Sequence, residues 1–112
     1  MKNKRHILPS VFLIFKIFSS PFVSAGVPKD NADHFLFGGG FSLGTNLCEL
    51  TIFKDITIDR AKEFRDQYMS EWDKKEALRD YQLVGTGLNL GITFLMEKNA
   101  SRFAICRELI LK

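Results

Sequence analysis

Residues 35–53 read FLFGGGFSLGTNLCELTIF, an apolar segment that contains four glycines and the first of the chain's two cysteines. As a helix, this segment carries one apolar stripe, formed by Phe37, Phe41, Cys48 and Ile52. Each glycine inside a helix costs about 1 kcal/mol relative to alanine. We therefore expect this helix to form only when it packs against another element.

Two glycines of this segment, Gly40 and Gly44, lie four residues apart, and residues 81–98 repeat the spacing with Gly87 and Gly91. On a helix, each pair forms a groove without side chains, and a neighbouring helix can approach closely at such a groove. We therefore predict that the two glycine pairs face each other in a close helix–helix contact.

Both glycine-bearing segments also fit the alternation of a strand. Glycine is poor in strands as well as in helices. The helix is favoured in the first segment because its apolar pattern continues from Cys48 to Phe53 and is then ended by Lys54 and Asp55. The sequence predicts an all-α fold, a small bundle of three to four helices with one disulfide. The alternative is an α+β fold with Gly-rich strands.

The clearest helix signal covers residues 58–75, between the two glycine-bearing segments. Thr57 is a suitable N-cap, and an apolar stripe with helical spacing follows it. The stripe consists of Ile58, Ala61, Phe64, Tyr68 and Trp72. We predict that Tyr68 and Trp72 belong to the core, with a partner-binding surface as the alternative. A last short helix is expected over residues 100–110.

Residues 1–25 have the layout of a secretory signal peptide. A basic start precedes the mostly apolar residues 7–18, and the small-residue sequence VSA follows at residues 23–25. Lys16 interrupts the apolar run, which is then too short for a comfortable membrane-spanning helix of about 20 residues. We expect cleavage after Ala25 and export to the periplasm or the extracellular space. The alternative is an uncleaved amino-terminal anchor.

The remaining chain is expected to be a flexible leader, residues 26–33, and a single small helical domain, residues 34–112. A domain of this size buries only about 60–65% of its unfolded surface, so a further constraint stabilises it. Cys48 and Cys106 are predicted to form one disulfide, because an exported chain enters an oxidising compartment. Closing a loop of roughly 60 residues stabilises a fold by about 4 kcal/mol in the chain-entropy account.

The leader also explains the basic charge of the chain. The formal net charge is +3, from 16 basic and 13 acidic side chains. Residues 1–25 hold four of the basic and none of the acidic side chains, which leaves 12 basic and 13 acidic ones and a net charge of −1. A nearly neutral chain gives no electrostatic reason to expect nucleic acid as a partner, and a membrane is not expected after cleavage.

The sequence offers little material for catalysis or for cofactor binding. After the leader there is one histidine, His34, and both cysteines are expected to be oxidised. The sequence contains no HExxH, P-loop or dinucleotide-binding pattern, and two thiols alone do not complete a zinc site. We expect no enzyme, no metal and no cofactor. The expected role is a protein-binding or structural module of the envelope, with a membrane-associated glycine-zipper protein that retains its anchor as the alternative.

The order of Gly40, Gly44 and Cys48, then a helix after Thr57, a second glycine-bearing helix and a final cysteine at Cys106 resembles small exported bacterial proteins, some of them cyanobacterial. The layout is also similar to the two-cysteine, all-α periplasmic proteins of the HdeA and Rap1a/Tai-immunity type. That resemblance covers residues 35–106. It implies acid chaperoning or the neutralisation of an effector, as an inhibitor or immunity protein does.

Overall fold

The computed structural model describes residues 27–72 and 75–112. These residues form three α-helices and one short 3₁₀ helix, and no strand occurs among them: α1 Asn31–Ile52, α2 Ile58–Met69, α3 Leu78–Lys98 and the 3₁₀ helix Ala104–Leu109. The all-α prediction is confirmed, and the alternative with Gly-rich strands is wrong. The predicted signal peptide, residues 1–25, lies outside the described residues.

The two long helices, α1 and α3, lie side by side and run in the same direction. Asp33 pairs with Arg79 near the start of both helices, and the rings of Phe41 and Phe94 lie 5.7 Å apart farther along. Helix α2 returns antiparallel to them, which brings the hydroxyl of Tyr68 next to the first half of α1. Because α2 runs back along α1, the chain returns to the start of α1 before α3 begins, and α1 and α3 can therefore lie parallel.

Helix α1 begins at Asn31, three residues before the expected start of the domain at residue 34. The side chain of Asp30 caps it, because Oδ1 accepts a hydrogen bond of 2.8 Å from the backbone N–H of Asp33. The expected flexible leader is therefore shorter at its carboxyl-terminal end than residues 26–33.

Helix α1 ends in a Schellman motif that has lysine where glycine is usual. The N–H of Asp55 donates to the carbonyl of Leu50 at 2.9 Å, and the N–H of Lys54 donates to that of Thr51 at 3.1 Å. Lys54 has a φ of 62°, in the left-handed region that disfavours residues with a Cβ.

Replacing Lys54 by glycine is expected to raise the free energy of unfolding by about 1 kcal/mol, because glycine adopts the left-handed conformation without a steric penalty. Urea denaturation of the variant and of the parent chain measures the difference. Lys54→Ala keeps the Cβ and removes the charge, so it serves as the control and should leave the stability nearly unchanged. Equal gains from both variants would contradict the conformational explanation.

Helix α2 ends at Met69, earlier than the predicted residues 58–75. The hydroxyl of Ser70 donates to the carbonyl of Gln67 at 2.6 Å, and the N–H of Glu71 bonds the carbonyl three residues back, that of Tyr68. Serine side chains that compete for backbone carbonyls, together with such tighter bonds, end an α-helix.

The last helix is 3₁₀ and covers Ala104–Leu109, where a short α-helix over residues 100–110 was expected. Before it, Asn99 Oδ1 accepts from the N–H of Arg102 at 3.1 Å and holds a turn. The disulfide then fixes Cys106 against α1, so the segment forms a tight 3₁₀ turn.

The core lies between α1 and α3 and is closed by α2 and the carboxyl-terminal tail. Its central buried members come from all four helices: Leu47, Cys48, Ala61, Met69, Val84, Leu88, Ile92, Leu95, Met96, Cys106 and Leu109. Helix α3 is buried on more of its circumference than α1, since twelve of its residues are buried against five of α1. It is therefore the central element of the bundle.

Candidate functional site

The glycines of α1 lie directly on the backbone of α3. A Cβ atom built on Gly40 would be 2.0 Å from the carbonyl oxygen of Val84, and one built on Gly44 would be 2.4 Å from that of Leu88. Real Cβ atoms do not approach so closely, and the obstacle is backbone that cannot rotate away. Only glycine, whose side chain is a single hydrogen atom, fits at these two positions.

The same contact recurs with the two helices exchanged. A Cβ on Gly87 would be 2.0 Å from the carbonyl oxygen of Phe37, and one on Gly91 would be 2.4 Å from that of Phe41. The distances match those on the other side, so the contact has approximate two-fold symmetry within a single chain. We call the four residues Gly40, Gly44, Gly87 and Gly91 the glycine interlock.

In the interlock, each glycine Cα hydrogen takes the place of the absent Cβ and points toward a carbonyl oxygen of the facing helix. Weak Cα–H···O contacts of this kind recur where helices touch closely and contribute perhaps 0.5–1 kcal/mol each. The four glycines therefore replace side-chain packing with backbone packing. This offsets the cost of placing glycine inside two helices.

Cys48 and Cys106 form the predicted disulfide. The two Cα atoms are 5.4 Å apart, within the usual range for a disulfide. Both residues have no exposed surface. The bond joins the second half of α1 to the 3₁₀ helix across 58 residues of sequence.

The carboxyl-terminal tail is also held by the buried side chain of Asn89. Its Nδ2 donates to the carbonyl of Leu111 at 3.0 Å, and its Oδ1 accepts from the N–H of the same residue at 2.7 Å. Asn89 is 1% exposed, and the two bonds satisfy its amide in the core. From sequence, Asn89 was only a polar interruption in an apolar helix, because its partner lies 22 residues away.

A second anchor of the tail comes from α2. Arg65 Nη1 donates to the carbonyls of Glu108 and Leu109 at 3.2 and 3.0 Å, and Lys62 pairs with the carboxylate of Glu108 at 3.0 Å. The guanidinium thus satisfies carbonyls at the end of the 3₁₀ helix, a role that a cation performs well.

Tyr68 and Trp72 are half-buried and pack against the core. Their ring centroids are 4.9 Å apart, and the Tyr68 hydroxyl lies 3.6 Å from the Cβ position of Gly39. This packing favours a structural role for the two rings. Their role as a partner surface stays a prediction.

Exposed apolar side chains gather instead where α1 ends and the 3₁₀ helix begins. Phe53, Ile105 and Leu50 are 58%, 42% and 39% exposed. Beside them is a groove of about 580 Å³, lined by Thr51, Ile52, Lys54, Asp55, Ile56, Thr57, Ile58 and Ile105. We call Leu50, Phe53, Ile105 and this groove the end surface.

The disulfide determines the geometry of the end surface. Thr51 and Ile52 follow Cys48 in the last turn of α1, and Ile105 directly precedes Cys106. The bond between the two cysteines therefore holds Ile105 near the end of α1, where it lines the groove together with Thr51 and Ile52. The guanidinium of Arg102 lies over the Phe53 ring, 5.4 Å from its centroid.

The opposite end of the molecule carries the ion pair between α1 and α3. Burial alone raises the pKa of Asp33. However, its carboxylate accepts hydrogen bonds from the backbone N–H groups of Lys29 and Asp30 and from the guanidinium of Arg79, and these contacts together hold its pKa below the ordinary 3.8. The pair fixes the first turns of both long helices in register.

Asp33→Asn is expected to remove a stabilisation that depends on pH. A carboxyl whose pKa is lower in the folded state stabilises the fold above its unfolded pKa, near 3.8, and this contribution disappears as the pH falls through the lower folded value. The variant should be less stable than the parent chain at pH 7, and the difference should shrink at pH 2. Urea denaturation at both pH values measures it. A difference that is the same at both would contradict the ion-pair explanation.

The remaining residues of catalytic type are dispersed. His34 is exposed in the first turn of α1, and no group of three or more His, Cys, Asp or Glu residues within 27–72 and 75–112 is arranged to hold a metal ion. Among the same residues, none of the helices combines the length and apolar character needed to cross a membrane. Comparison of the chain with protein-family models, curated proteins and solved structures finds no match.

Proposed function

We propose that this chain is an exported, non-enzymatic module that acts by binding another protein through the end surface. The observation that supports the proposal best is the groove lined by Ile52, Ile56, Ile58 and Ile105, with Leu50 and Phe53 exposed at the same end of α1. Contiguous exposed apolar surface on a small protein marks interaction sites. The chain's own core does not need these side chains, since they project outward from it.

The rigidity of the end surface strengthens this proposal. A binding surface that is already ordered before association loses less conformational entropy when it binds. Here the buried disulfide joins the two segments that form the surface, and the Schellman motif at Lys54 fixes the chain between them. Inhibitors, immunity proteins and chaperones act by presenting such a surface, which agrees with the role that the sequence layout implies.

The proposed export depends on the sequence of residues 1–25, and a buried disulfide is compatible with an oxidising compartment. Intact-mass analysis of the chain recovered from an envelope fraction should give a product that begins at Gly26. A full-length product that resists carbonate extraction would instead support the membrane-anchored alternative.

Binding through the end surface is tested by cross-linked affinity capture from envelope extract, with variants that keep the fold. Phe53→Ser with Ile105→Ser should abolish the capture of a partner. The matched control is Phe35→Ser with Leu78→Ser, which makes the same kind of change at two side chains that are more exposed, at 81% and 51%, at the other end of the molecule. Equal capture by both double variants, at equal melting temperatures, would contradict this placement of the binding surface.

A further inference from the structure

The disulfide is inaccessible in the closed structure. Cys48 and Cys106 are both 0% exposed, so no thiol reagent in solution reaches either sulfur without a movement of the protein. Reduction requires in-line attack of a thiolate on one sulfur. The rate of reduction therefore reports how often the elements around the disulfide open.

The element that contains Cys106 is the 3₁₀ helix, in which only Cys106 and Leu109 are buried in the core, while residues 103, 110 and 111 beside it are half-buried. Its polar anchors are the two hydrogen bonds between Asn89 and Leu111, and those from Arg65 to the carbonyls of Glu108 and Leu109. The exposed ion pair between Lys62 and Glu108 adds little. We call the 3₁₀ helix and residues 110–112, with these anchors, the tail latch.

The glycine interlock opens in a different way. Its contacts are between backbones, so α1 and α3 separate only when the whole helix pair comes apart. Proteins open locally where few buried contacts and short elements are involved, at a lower free energy than global unfolding. The six-residue 3₁₀ helix buries only Cys106 and Leu109, against the twelve buried residues of α3, so it belongs to this class.

We propose that the tail latch is a redox gate: a dithiol reductant reduces Cys48–Cys106 through local release of the latch, while α1 and α3 stay together. The first thiolate of the dithiol attacks one sulfur and forms a mixed disulfide, and the other cysteine leaves as a thiolate. The second thiolate of the dithiol then attacks its own mixed-disulfide sulfur. The products are two protein thiols and one oxidised dithiol.

Release of the latch also changes the end surface, because Ile105 moves with the 3₁₀ helix while the groove residues Thr51 and Ile52 stay on α1. Reduction thus separates the two halves of the surface without unfolding the helix pair. The gate itself does not depend on the proposed function, since it concerns only the opening of the fold.

The experiment measures the rate at which dithiothreitol reduces the oxidised full chain in the absence of denaturant, followed by alkylation and mass counting of the thiols. Arg65→Gln and Asn89→Ala each weaken the latch from a different helix. Val84→Ala is the control, since Val84 is buried at the level of Gly40 on α1, five residues before Asn89, and its truncation lowers global stability. Urea denaturation of each oxidised variant gives its free energy of unfolding.

With a latch, Arg65→Gln and Asn89→Ala accelerate reduction by about tenfold, as expected for lost hydrogen bonds from a charged or buried group. Val84→Ala changes the rate by less than its global destabilisation implies. The Leu111 amide, which donates to Asn89, then exchanges its hydrogen with the same opening free energy as reduction, and the α3 amides exchange more slowly. If all three variants fall on one line of rate against global stability, reduction proceeds by global unfolding and the gate is refuted. Because each reduction rate is compared with the variant's own free energy of unfolding, a loss of global stability in Asn89→Ala does not obscure the result.

Discussion

Replacing Gly40 by alanine is expected to lower the free energy of unfolding by about 3 kcal/mol, because overpacking a rigid contact costs 1–3 kcal/mol and sometimes more. The new methyl group would lie 2.0 Å from the carbonyl oxygen of Val84, so α1 and α3 must separate to accommodate it. That separation also weakens the contact of Gly87 with Phe37 on the other side of the interlock. Urea denaturation of the oxidised chain measures the loss.

The matched control is Gly38→Ala, two residues earlier on the same helix. Gly38 is exposed, and a Cβ there would have no neighbour within 4 Å. Alanine at that position should stabilise the protein by about 1 kcal/mol, because only the helix propensity changes. The two substitutions are chemically identical and should have opposite signs. A similar effect of both would mean that α1 and α3 are not in backbone contact at Gly40.

Replacing both cysteines by alanine is expected to lower the free energy of unfolding by about 4 kcal/mol in the chain-entropy account. The bond closes a long loop, because its two cysteines have a sequence separation of 58, and it thereby restricts the unfolded chain. A domain of this size is stabilised by only about 5–10 kcal/mol in total. The Cys48→Ala, Cys106→Ala variant should remain helical but unfold at a much lower urea concentration.

The dependence on urea distinguishes this mechanism from a loss of packing. Without the cross-link the unfolded chain is more expanded, so the slope of the free energy against urea concentration should increase as well. Reduced parent chain provides the comparison, since it keeps both sulfur atoms in the core. If the double variant and the oxidised chain unfold at the same urea concentration, the disulfide does not stabilise the fold.

Much of this architecture is encoded in local patterns of the sequence. The spacing of Gly40 with Gly44 and of Gly87 with Gly91 predicts a close helix pair, and the structure places these glycines opposite each other. The presence of only two cysteines after the leader predicts their pairing. Thr57 predicts the start of α2, and its hydroxyl does accept the N–H of Arg60 at 3.1 Å.

Other features depend on partners that are distant in sequence, and no local pattern shows them. Nothing near Asn89 indicates that its amide binds the backbone of Leu111, and nothing near Asp33 indicates Arg79. The parallel direction of α1 and α3 likewise depends on the antiparallel return of α2, which places Tyr68 next to the first half of α1.

The groove of the end surface is invisible in the sequence for a similar reason. The sequence predicts that Tyr68 and Trp72 belong to the core, with a partner surface as the alternative, and the structure packs both rings against the core. Ile105 is separated from Thr51 and Ile52 by about half the chain, and the disulfide between neighbouring residues brings these groove-lining residues together. A surface composed of two such segments becomes visible once the cysteine pairing is placed in three dimensions.

The central claim is that the glycine interlock brings the backbones of two parallel helices into contact, and NMR spectroscopy of the oxidised chain tests it most directly. The Cβ position of Gly44 is 3.2 Å from the Cα of Leu88, and that of Gly91 is 3.2 Å from the Cα of Phe41. We therefore predict strong nuclear Overhauser effects between the Hα atoms of Gly44 and Leu88, and between those of Gly91 and Phe41. Absence of both signals, with α1 and α3 still helical, would contradict the account.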